Sequence, residues 1–99
     1  MTLDLNADTF QIHIGKTFKV SGADYALTLR SVDRREMEPW EAEILTRAPF
    51  TLVFSAPSGP VLLEGLHTLE LEDGVAATLY VMPIHTPDRS RQDYQSVFN

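Results

Sequence analysis

The chain has 99 residues, 43% hydrophobic and 22% charged, with a formal net charge of −6 and no cysteine. That length makes one domain, residues 1–99, with one modest core, and the missing cysteines exclude disulfides, thiolate nucleophiles and cysteine-ligated metals. The acidic balance argues against a nucleic-acid partner, and no apolar run approaches the ~20 residues that span a bilayer. The N-terminal MTLDLNADTF carries two aspartates and no basic residue, unlike a signal peptide. The expectation is a soluble, unprocessed, cytoplasmic protein with no membrane contact, or a part of a larger assembly.

Period-two patterning dominates the chain. TFQIHIG predicts a strand with Phe10, Ile12 and Ile14 on one face, Gln11 and exposed His13 on the other, and a turn at Gly15. TFKV repeats the pattern with Phe18 and Val20 inward. SGAD (21–24) is a turn cluster, and YALTLRSV then sets Tyr25, Leu27 and Leu29 against Ala26, Thr28 and Arg30.

Residues 33–49, DRREMEPWEAEILTRAP, are ambiguous. Met37, Trp40, Ile44 and Leu45 fit a helical face, whereas Trp40, Ala42 and Ile44 fit a short strand with Glu41 and Glu43 outward. The segment reads as a long irregular excursion that holds at most a helical turn, and excursions of this length tend to be functional or mobile.

FTLVF follows with Phe50, Leu52 and Phe54 on one face. APSGP (56–60) turns the chain, and VLLEG reads as a further short strand. GLHTLELEDGVAATLYVM is a hairpin whose loop is set by register. A three-residue loop, Glu72-Asp73-Gly74, pairs Leu71 with Val75, Leu69 with Ala77 and His67 with Leu79 on the apolar face. Its other face pairs Glu70 with Ala76, Thr68 with Thr78 and Leu66 with Tyr80. Gly74 then occupies the left-handed position of a turn with a bulge. In the closing VMPIHTPDRSRQDYQSVFN, Pro83 and Pro87 are expected to end a strand and DRSRQD to be a solvated crossing. Tyr94, Val97 and Phe98 form a last apolar segment. The fold class is therefore all-β: a small closed or partly open antiparallel β-barrel, or a tight sandwich, of about seven strands.

Few residues point to chemistry. His13, His67 and His85 have no spacing that puts two together on one element, so no metal or other cofactor is expected. No nucleophile elbow or phosphate-binding glycine loop occurs, and no catalytic residue is assigned. Trp40, the only tryptophan, lies in the irregular excursion beside Glu38, Glu41 and Glu43. It either caps the barrel or serves as a contact anchor, as aromatic hot spots do. From Ala48 to Asp88 there is no Lys or Arg, against Glu64, Glu70, Glu72, Asp73 and Asp88. This is either a solvated acidic edge or a docking surface for a basic partner, with Glu70 and Asp73 as contacts.

Three stretches together carry a resemblance: DTFQIHIGKTFKV, APFTLVFSAPSGPVLLEGLHTLELEDG and LYVMPIHTPDRSRQDYQSVFN. Phe10, Gly15, Phe18, Pro49-Phe50, Leu52, Phe54, Gly65, Leu69, Val81, Pro83, Tyr94 and Val97-Phe98-Asn99 give the shared pattern. The chain is similar to an uncharacterised family of bacterial domains of about this length, a domain of unknown function. The resemblance is weakest over 33–48. It implies a shared fold and carries no catalytic residue across. Some members lie near genes for phage-tail-like proteins, which implies a structural or interaction role.

The expected function is thus a non-catalytic β-barrel module that binds an unidentified protein, with self-association through an unclosed edge also open. A small-ligand barrel with His67, Tyr25 and His85 as ligand contacts is the alternative, and an uncharacterised enzyme the third reading.

Overall fold

Six strands close into an antiparallel barrel in the computed structural model, which describes residues 5–44 and 48–98. Helix α1 (Ala7–Gln11) comes first, then β1 (Thr17–Val20), β2 (Ala26–Arg34), a 3₁₀ turn (Glu41–Glu43), β3 (Phe50–Pro57), β4 (Gly65–Glu70), β5 (Ala76–Ile84) and β6 (Arg91–Phe98). The order around the barrel is β1-β2-β3-β6-β5-β4, and β4 returns to β1 through Lys19↔Glu70 and Val20↔Leu69. Closure pairs the strand edges that would otherwise recruit another chain.

Alternation explains the core. Phe18 and Val20, Leu27 and Leu29, Leu52 and Phe54, Leu69, Leu79 and Val81, and Tyr94 all point inward and are buried. The register of β2 slips between Leu29 and Ser31, leaving Arg30 as the extra residue of a bulge. The bulge places Val32 rather than Ser31 opposite inward-facing Leu52. The β4–β5 hairpin has the register expected from sequence, from Glu70↔Ala76 to Leu66↔Tyr80. Gly74 has φ +86°, and the Leu71 amide donates to the Val75 carbonyl at 2.8 Å.

Both mouths are covered. β3 and β4 stand opposite each other in the ring, so the chain between them, residues 58–64, must cross one mouth. At the other mouth α1 inserts Phe10 beside Phe50 and Phe98, at ring distances of 6.4 and 6.3 Å. Phe50 and Phe98 stack on each other at 4.6 Å. Arg34, at the end of β2, reaches Asp8 of α1.

Three expectations are corrected. TFQIHIG is not a strand: Asn6 accepts a hydrogen bond from the Thr9 amide at 2.8 Å and caps α1 instead. Only Phe10 of its apolar trio is buried; Ile12 is 73% exposed and His13 turns inward. VLLEG is not a strand either, since its first four residues belong to the crossing segment and β4 begins at Gly65. Without these two segments six strands remain, against the seven or so expected. Pro83 does not end a strand: it sits within β5 opposite Tyr94, and β5 continues to Ile84. The excursion after β2 holds one 3₁₀ turn and no strand among its described residues, while Leu45 lies outside them.

Candidate interaction surfaces

The 3₁₀ turn is built around Glu41. Its carboxylate receives both terminal nitrogens of Arg35, at 2.9 and 2.8 Å, and the Glu38 amide at 3.0 Å. Such a bidentate pair fixes orientation as well as position. These hydrogen bonds, Arg35 first, hold the Glu41 carboxyl below the usual carboxylate range. Glu41 is therefore buried and positions the turn; it is not the outward contact that the alternation implied. Trp40, immediately before it, is 62% exposed, and Ile44 is exposed beside it. Trp40 does not cap the barrel, because α1 and the crossing segment do. Glu38 and Glu43 are exposed near it.

The crossing segment forms a strap over the second mouth. The Leu62 amide donates to the Tyr94 hydroxyl at 2.9 Å, the two tyrosine hydroxyls lie 2.6 Å apart, and the Tyr25 hydroxyl donates to the Pro60 carbonyl at 2.9 Å. Proton count sets the direction. Tyr25 has given its proton to Pro60, so Tyr94 donates to Tyr25 and accepts from Leu62. Burial, then the Tyr25 contact, push the Tyr94 hydroxyl up to about 12. His67 Nε2 lies 2.7 Å from the Leu63 carbonyl and must carry the proton there. The Tyr80 hydroxyl donates to Glu64, which raises its pKa.

Tyr25 and His67, expected inside a ligand lumen, thus bind the protein's own strap, and the space between the strands holds apolar side chains. His85 is exposed just beyond β5. Glu70 faces Lys19 across the β1–β4 seam, and Asp73 accepts from the Val75 amide at 3.0 Å in the hairpin turn. Lys16, Lys19, Glu70, Leu71, Glu72 and Asp73 line a shallow recess of about 800 Å³ along that seam. Trp40 is not among its lining residues, so the expected interaction residues fall on separate surfaces rather than one.

Sequence reasoning missed His13. It is buried, its ring meets Phe18 edge-on at 6.3 Å, and its Nδ1 has no hydrogen-bond partner among the described residues. Burial and then Lys16 lower its pKa, partly opposed by Asp73. The Asn6 cap was the available signal, since it converts the segment to a helix and reverses which side His13 takes. Among the described residues no group of three or more His, Cys, Asp or Glu could hold a metal ion. No helix there is long and apolar enough to cross a membrane.

The architecture defines a small closed antiparallel β-barrel with a helical plug at one mouth and a hydrogen-bonded strap at the other. The chain belongs to the family described as Domain of unknown function (DUF6916), whose model matches residues 5–98. No curated protein and no solved structure matches it.

Proposed function

We propose that this domain is a non-catalytic protein-interaction module that uses Trp40 as its contact anchor, in a phage-tail-like or surface assembly of a bacterium. The observation that carries the reading is the exposure of the only tryptophan on a turn pinned by a buried carboxylate. An exposed aromatic on a backbone fixed in this way loses less conformational freedom on binding than one on a loose loop, which suits a hot-spot residue. Ile44 extends the apolar contact, and Glu38 and Glu43 set its acidic rim. The gene neighbourhood implied by the family resemblance supports the assembly setting. The pairing of β1 with β4 at Lys19↔Glu70 and Val20↔Leu69 favours docking through side-chain faces over the addition of a strand.

Affinity capture with the wild-type domain and with Trp40→Ala, read by mass spectrometry, tests the proposal. The expected result is one set of proteins enriched by the wild type and lost with the variant. Equal recovery by both would remove Trp40 as the anchor.

A further inference from the structure

The strap displays apolar side chains while its backbone is tied down. Val61 is exposed, Leu63 is 81% exposed, and Leu66, just beyond on β4, is 70% exposed. A loose loop with these residues could fold them inward. Here Pro60, Leu62, Leu63 and Glu64 are each held by a side chain of the barrel, namely Tyr25, Tyr94, His67 and Tyr80. Leu66 pairs with Tyr80 on the outer face of the β4–β5 hairpin, so the strap and the hairpin make one apolar surface. Residues 61–66 and Tyr80 supply this surface, and the stretch 48–88 contains no Lys or Arg. Glu64, which accepts from the Tyr80 hydroxyl, is the surface's charged group, whereas Glu70 farther along β4 already faces Lys19.

We infer that this surface is a docking site for a partner segment that combines aliphatic side chains with Lys or Arg. Charge complementarity carries the choice of occupant. The aliphatic groups cover Leu63, Leu66 and the Tyr80 ring, and a cation meets Glu64. A second copy is disfavoured because it brings Glu64 against Glu64, in a chain of net charge −6. An anionic membrane is repelled for the same reason. The pinned strap leaves little to order on binding. This inference rests on the domain being an interaction module but not on Trp40.

The test is an NMR titration of the full chain with three synthetic peptides. The first alternates Leu and Lys, the second replaces each Lys by Glu, and the third replaces each Leu by Ser. The expected result is saturable shifts at amides 61–66 and 78–82 with the first peptide alone, weakening several-fold as salt rises. Leu66→Ser points outward, so its melting temperature stays near wild type while affinity falls about tenfold or more. Trp40→Ala leaves the shifts unchanged, so failure here and failure of the Trp40 anchor are distinguishable. The inference is overturned by equal binding of the second or third peptide, by shifts confined to other surfaces, or by no shifts. It is equally overturned if these amides respond instead to anionic vesicles, or to self-association that Leu66→Ser abolishes.

Discussion

Removing the Tyr94 hydroxyl is the sharpest perturbation of the strap. Tyr94→Phe keeps the ring, which is fully buried and edge-on to Tyr25 at 6.3 Å. It strips the middle link from the chain Leu62 N–H, Tyr94, Tyr25, Pro60 carbonyl. The Leu62 amide then loses its acceptor and Tyr25 its donor. An unsatisfied buried donor costs about 1–3 kcal/mol, and half-burial of Leu62 places the loss in the lower part of that range. For a domain of this size each kcal/mol lowers the melting temperature by about 4–8 °C, so a fall on the order of 5–15 °C is expected. Urea unfolding followed by circular dichroism gives the free energy. Tyr25→Phe should cost less, and the double variant less than the sum, because both singles delete the same Tyr–Tyr bond. Alkaline titration adds an independent sign. Folding pushes the Tyr94 hydroxyl from its ordinary 10.0 up to about 12, so its contribution is intact below pH 10 and lost as pH rises through the folded value. Tyr94→Phe should flatten that loss. A variant within about 0.5 kcal/mol of wild type, or an additive double variant, would refute the relay.

Other outcomes follow from the same structure. His13 has a lowered folded pKa, so the unfolded chain takes up its proton first. Stability should fall as pH drops below 6.5 toward the folded value, and His13→Leu should remove that fall in thermal melts. Glu41→Gln weakens the clamp on Arg35, so amide exchange across 38–44 should speed up while exchange in the barrel strands stays unchanged. Gly74→Ala meets no atom within 4 Å but must hold φ +86°, a loss of about 1 kcal/mol readable by urea unfolding. Deleting residues 94–99 removes Tyr94 from the core and Phe98 from its stack on Phe50. The far-UV spectrum should then be that of an unfolded chain, and a folded truncation would contradict the core described here.

The barrel was legible wherever alternation met a register constraint. The hairpin around Gly74 came out residue for residue, because a two-residue loop would mix polar and apolar partners on one face and the three-residue loop does not. The pattern failed at TFQIHIG, where a helical turn and a strand both bury Phe10 and only the Asn6 cap separates them. It failed at VLLEG because three apolar residues in a row read as a strand, whereas topology requires them to cross a mouth. Trp40 as an exposed anchor was one of two readings available from its neighbours. The role of Glu41 was hidden, because alternation cannot show that Arg35, six residues earlier, turns back to neutralise it. The hydroxyl relay joins Tyr25 to Tyr94 across most of the chain, and no local pattern announces such a pair.

The most direct test of the interaction reading is the dissociation constant of a captured partner, purified and titrated calorimetrically against wild type and Trp40→Ala. Loss of a hot-spot aromatic costs at least ~2 kcal/mol, so affinity should fall about 30-fold or more with an unchanged melting temperature. Equal affinity for the two proteins would contradict the claim that Trp40 is the anchor.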